Sequence, residues 1–290
     1  MLRSRSKASC RAGWELVFPA SGKFTFYRLN LPVAYPKIKI TFLGTGTSSG
    51  IPMIGCSCKV CTSTDTRDKR LRSSILVQSE NTTLVVDTTP DFRFQMLREK
   101  VMRLDALLFT HPHKDHVAGM DDIRAYNFFS AKPMEVYANE LTQSALKREF
   151  PYVFSEVKYP GLPKVEMNLI TDQPFMIGDI PVIPITVMHL KMPVFGFRFG
   201  KFTYITDASH IDEIELQKIA GSEALVLNAL RKEKHISHFN LPEAVSLAQQ
   251  LEMPNTYLTH LSHQMGRHED VNNELPRGIH LAWDGLILEY

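Results

Sequence analysis

The 290-residue sequence predicts an α/β protein in which helices cover sheets of mixed strand direction. Three observations carry this. Short runs rich in β-branched and aromatic residues recur from Lys37 to the C-terminus, and helical periodicity falls between some of them. Several of the runs also end directly in His or Asp, placing polar side chains at a sheet rim.

In chain order, the strands IKITFLG (38–44), SSILVQS (73–79), TTLVVDT (82–88) and DALLFTH (105–111) crowd the first third. The stretches 118–129 and 140–149 repeat apolar residues at helical spacing, with the strand MEVYAN (134–139) between them. IPVIPITVMH (180–189), VFGFRFG (194–200) and FTYITDA (202–208) follow as strands, then a helix over 211–220 and the strand ALVLNAL (224–230). A last helix over 242–252 starts at Leu-Pro-Glu, with Pro242 suited to a first turn. TYLTHLS (256–262) and LILEY (286–290) close the series. No repeat at a fixed period and no low-complexity linker interrupts residues 37–290, which therefore read as one domain.

Composition is that of an ordinary globular chain, with 44% hydrophobic and 22% charged residues. The net charge of +2 is unevenly spread. Residues 1–36 hold six basic residues against the single acid Glu15, leaving 27 basic and 30 acidic residues in 37–290. The main body thus lacks the basic excess of a nucleic-acid or anionic-membrane binder. No apolar run is long enough to span a bilayer. Residues 1–36 are Arg/Ser-rich without an apolar core, so they read as a loosely ordered extension or an upstream start, not a secretory signal. A cytoplasmic, reducing compartment follows as the expectation and disfavours a structural disulfide.

The chemistry concentrates in His111-Pro-His113-Lys-Asp115-His116, four potential metal ligands in six residues directly after an apolar strand. Imidazole and carboxylate in a loop suit Zn²⁺, Mn²⁺ or Fe. His189, Asp207 and His260 stand at three further strand ends. His238, in SHFNLPEA just before the last helix, reads on its own as a surface residue that could reach such a site as a proton donor or an anion contact. The loop LGTGTSSGIP (43–52) could present backbone N–H groups to an anion. His210 lies near enough to Asp207 to support it from behind, and His235, His268 and His280 read as surface residues.

The loop 55–61, GCSCKVC, holds three of the four cysteines. A disulfide would leave one thiol over, whereas three thiolates and an imidazole make a closed tetrahedral zinc site. Cys10 lies in the extension, so His263 is the better fourth ligand to Cys56, Cys58 and Cys61, three residues after His260 in THLSHQ.

His-x-His-x-Asp-His after a strand, with a later His, Asp and His at strand ends, resembles the metallo-β-lactamase superfamily from about Lys37 onward. The resemblance implies a four-layer αββα sandwich and two divalent metal ions, Mn²⁺ or Zn²⁺, between the sheet edges. It implies that His111, His113 and His189 hold one metal, that Asp115, His116 and His260 hold the other, and that Asp207 bridges them. Two such cations trap a hydroxide at neutral pH and clamp a phosphodiester, with Asp115 orienting or deprotonating the nucleophile. The cysteine run, THLSHQ and the terminal WDGLILEY narrow the resemblance to the phosphoribosyl cyclic phosphate phosphodiesterases of the carbon–phosphorus lyase pathway. That family implies one structural Zn²⁺ on the cysteines and His263, and a small phosphorylated substrate, a ribose cyclic phosphate. It implies no membrane or nucleic-acid partner and leaves room for a homodimer. Competing readings are a tRNA 3′-processing endonuclease, a pyrroloquinoline quinone biosynthesis metalloprotein and a non-catalytic metal-dependent binding module.

Overall fold

Two seven-stranded sheets face one another, each built from three antiparallel and three parallel pairings. The computed structural model describes residues 35–156 and 159–290. The expectation for the extension therefore falls, up to residue 34 and including Cys10, outside the described residues.

The first sheet contains β1 (Lys39–Gly44), β2 (Ser74–Gln78), β3 (Thr83–Val86), β4 (Ala106–Leu108), β5 (Met134–Ala138) and β6 (Val165–Leu169). The second contains β7 (Phe175–Ile177), β8 (Ile180–His189), β9 (Met192–Phe199), β10 (Phe202–Tyr204), β11 (Ala224–Asn228), β12 (Asn255–Thr259) and β13 (Ile279–Leu281). The last strand, β14 (Ile287–Glu289), returns to the first sheet and pairs antiparallel with β1. The parallel halves are β3 to β6 in one sheet and β10 to β13 in the other.

Burial follows from these positions. β11, ALVLN, lies between two parallel neighbours with both faces covered, and every one of its residues is buried. β5, MEVYA, alternates buried and half-buried residues instead. Ile40, Phe42, Ile75, Val77, Leu84 and Val86 from one sheet meet Val182, Phe197, Phe199, Phe202, Tyr204 and Val226 from the other in a shared core. The outer face of the first sheet packs Leu43, Val85, Leu107 and Phe109 against helices α1 (Phe92–Arg98), α2 (Lys114–Val117), α3 (Arg124–Ser130), α4 (Glu140–Glu149) and α5 (Pro151–Phe154). The outer face of the second packs Leu225, Leu227 and Leu258 against α6 (Glu213–Ile219), α7 (Leu241–Gln250) and α8 (His268–Glu274). Helix, sheet, sheet, helix is the expected four-layer arrangement.

The helix expected over 118–129 is broken into α2, a 3-10 turn at Met120–Ile123 and α3. The cause is Gly119, whose N–H bonds Thr88 O at 2.8 Å instead of continuing the helical ladder. A Cβ there would lie 2.2 Å from Thr89 O, so the chain approaches β3's exit too closely for any side chain. α7 starts one residue before its expected position because Asn240 and Glu243 form a reciprocal capping box. Among the described residues, no helix is long and apolar enough to cross a membrane.

Candidate metal centres

The C-terminal ends of β3, β4, β10 and β12 point to one rim, and the chain turns sharply there. Asp87, Asp207 and His260 all adopt left-handed backbone, with φ of 67°, 58° and 57°. Non-glycine residues pay for that conformation, and Asp and His tolerate it better than branched ones. The turns bring Asp115, His116, Asp207 and His260 together with ligand atoms within 4.8 Å of one another, and likewise His189, Asp207 and His238. Asp207 belongs to both groups.

Hydrogen bonds settle which ring nitrogens face inward. Thr110 donates its hydroxyl to Asp87 Oδ2 at 2.8 Å, so at 2.9 Å from His111 Nδ1 it accepts. His189 Nδ1 stands 2.9 Å from Ser237 O, a pure acceptor. His116 Nδ1 stands 2.8 Å from the buried Asp87 carboxylate. In each ring Nδ1 carries the proton and Nε2 is left with its lone pair, the arrangement in which outer carboxylates and carbonyls hold metal-binding imidazoles. His111 Nε2 meets His113 Nδ1 at 3.1 Å, and the His113 and His189 rings are 5.1 Å apart.

On the other side, His116 Nε2 is 3.3 Å from both Asp115 Oδ2 and Asp207 Oδ2, and His260 Nε2 is 3.1 Å from Asp207 Oδ1. His116 Nε2 and both ring nitrogens of His260 are nevertheless buried without a hydrogen-bond partner among the described residues. Orphaned lone pairs beside two carboxylates are what a cation would satisfy, so the residues fit the expected metals. Burial alone would raise Asp207, but His260 and His116 outweigh it and hold the carboxyl well below its ordinary range. Burial likewise opposes ionisation of Asp115, which His116 holds low.

His238, partly exposed, packs against this group. Its ring stacks on His260 at 4.9 Å and meets His189 edge-on at 4.7 Å, and its Nε2 is 3.1 Å from Asp207 Oδ1. Burial, more than any neighbour, pushes it down to about 4.

A second cluster gathers Cys56, Cys58, Cys61 and His263, again within 4.8 Å. His263 Nδ1 is 3.3 Å from Cys56 Sγ and 3.4 Å from Cys58 Sγ. Backbone N–H donation from Cys61 draws the Cys58 thiol down to about 6, while burial pushes Cys61 up to about 11. Ile51 and Val60 cover it. Three thiols and one imidazole suit zinc.

A sequence profile of the beta-lactamase superfamily domain matches residues 82–261. The chain belongs to the metallo-β-lactamase superfamily. The crystal structure of a diphosphatase from the PhnP family is 41% identical, with a TM-score of 0.83 over 88% of this chain and 97% of its own. This supports the narrower resemblance drawn from the cysteine run and THLSHQ. Zn²⁺-bound PqqB from Methylobacterium extorquens, 18% identical with a TM-score of 0.71 over 87% of this chain and 100% of its own, shares the fold. An octanoyltransferase of Porphyromonas gingivalis is 35% identical over 252 residues, 86% of this chain. The chain spans only 51% of that protein's length.

Two expectations differ from the structure. His268 is buried, not a surface residue: its Nδ1 lies 3.1 Å from Arg70 Nη2 and its ring packs edge-on against Trp283. His210 turns away from Asp207 and pairs with Asp212 at 3.0 Å. In the loop 43–52, the N–H groups of Gly46, Thr47, Gly50 and Ile51 are bonded to protein carbonyls. Asp87, outside the expected site residues, is likewise an acid directly after an apolar strand and holds His116 from behind.

Proposed function

We propose that the chain is a metal-dependent phosphodiesterase acting on a small cyclic phosphodiester, a ribose cyclic phosphate being the best fit. The observation that carries this is Asp207, shared between one group with Asp115, His116 and His260 and another with His189 and His238, while His111 and His113 adjoin His189 through ring contacts. In this reading His111, His113 and His189 hold one divalent cation, Asp115, His116 and His260 the other, and Asp207 both. Bound there, the cations would acidify a water and neutralise the phosphate oxygens.

The protein's own groups do the rest. Asp115, 15% exposed, is the most accessible carboxylate of the group and orients the attacking water. Asp207, 3% exposed, is held by the Thr206 hydroxyl at 2.6 Å. Attack forms one P–O bond and breaks the ester P–O bond. His238 supplies the proton that the departing alkoxide takes up. A neutral imidazole is too weak an acid for this, so His238 acts in its imidazolium form.

A small substrate is favoured over nucleic acid by the excess of acids in residues 37–290. Octanoyl transfer through a covalent acyl intermediate would ask for a thiol or an activated hydroxyl beside a base. Among the described residues, all three cysteines lie in the second cluster instead. The test is hydrolysis by protein loaded with Mn²⁺ or Zn²⁺. Bis(p-nitrophenyl) phosphate and a ribose cyclic phosphate should both turn over, and precursor tRNA should not. Absence of turnover in a fully metallated sample would overturn the proposal.

A further inference from the structure

We infer that His235 is a positioning residue for His238, acting through the Ser237 hydroxyl to fix which edge of the His238 ring faces the reacting ester; this rests on the phosphodiesterase reading above.

Packing alone cannot make that choice. His238 lies parallel to His260, with rings 13° apart, and His189 abuts it edge-on. These contacts fix the plane of the ring. A half-turn about the Cβ–Cγ bond keeps that plane and nearly the same shape, but puts C–H groups where Nδ1 and Nε2 stood. Only hydrogen bonds distinguish the two states.

The bonds that do so come from the loop between β11 and α7. Its base is closed by Leu230 N–H to Phe239 O at 3.0 Å, and Arg231 braces it through Lys234 O at 3.2 Å and Gln264 Oε1 at 2.9 Å. Within it, His238 Nδ1 is 3.0 Å from Ser237 Oγ and 3.2 Å from His235 Nδ1. Ser237 Oγ is itself 3.2 Å from His235 Nδ1, and the Ser237 N–H reaches the same nitrogen at 3.4 Å. A serine hydroxyl alone rotates freely and would follow either ring state. Held by His235 it cannot, and His238 Nε2 stays directed at the Asp207 side. Ser237 also supplies the carbonyl that takes the His189 Nδ1 proton. That is a main-chain contact, so a side-chain change at 235 leaves it in place.

The experiment compares His235→Ala, His235→Asn, His238→Ala and the double alanine variant, each loaded with Mn²⁺, on two esters. One is bis(p-nitrophenyl) phosphate, whose leaving group needs little protonation; the other is a ribose cyclic phosphate, whose alkoxide needs it. His235→Ala should lower kcat on the ribose ester about tenfold, in keeping with the cost of a small misplacement. KM, metal content and turnover of the nitrophenyl ester should stay nearly unchanged. His235→Asn, which keeps a polar atom near the Nδ1 position, should restore most of the loss. The double variant should be no slower than His238→Ala alone. Equal losses on both esters, or full additivity with His238→Ala, would overturn the assignment. Should wild-type protein hydrolyse neither ester, the proposed function fails, and ¹⁵N chemical shifts of the His238 ring still decide this inference. A change in the Nδ1 environment in His235→Ala supports it, and an unchanged spectrum refutes it.

Discussion

Asp207 is the side chain on which the proposed chemistry converges. Replacing it with Ala removes the carboxylate that faces His116, His238 and His260 together. Turnover should fall by at least about a thousandfold, with loss of metal from the dinuclear group and retention at the cysteine cluster, as elemental analysis would show. Asp87 touches none of the proposed metals yet holds His116 Nδ1, Thr110 N–H and Thr110 Oγ1. Asp87→Asn should weaken metal binding about 10- to 100-fold, measured by competition with a chelator, while the fold persists. At this scale the sequence was informative wherever a strand ran straight into a ligand, because burial of the strand commits the next residue to the rim. Asp87 carries the same signal but sits outside the His-rich motif. The His235–Ser237–His238 contacts depend on the path of the twelve-residue crossover between β11 and α7, which no local pattern encodes.

Among the elements, those with a strong local cause were legible. α4 spans 140–149 as expected, capped by Asn139 accepting from Thr142 N–H, and β8 spans 180–189. β6, β7 and β13 have three to five residues each, and β6 is half-exposed at a sheet edge, so periodicity had little to act on. Asn240→Ala removes the capping box of α7 and should cost about 1 kcal/mol in urea unfolding. α8 opens with buried His268, whose folded-state protonation is pushed down to about 4 by burial and by Arg70. An unfolded His takes up a proton near 6.5, so the native state binds fewer protons below that pH. Its contribution is complete above about 6.5 and is lost as pH falls toward about 4. The urea midpoint should drop over that window, and less so in His268→Gln.

For the whole molecule, the decisive feature is that the cysteine cluster joins residues 56–61 to His263, about 200 positions later. Zinc there would close a very long loop and favour the native state through its own binding energy. His263→Ala should release one zinc per chain, leave the dinuclear metals in place and lower Tm by several degrees. The αββα architecture was legible only through resemblance. Strand patterns announce sheets, but they do not say that β14 closes the first sheet while β13 closes the second.

The left-handed turns at Asp87, Asp207 and His260 also constrain how this protein can diverge. Asparagine accepts that backbone as readily as aspartate, and the two are one base change apart in the genetic code. On the proposed function, a lineage can therefore lower metal affinity at 87 or lose turnover at 207 without losing its fold. Silent, well-folded relatives of such an enzyme should arise easily, and Asn at either position is where to look for them.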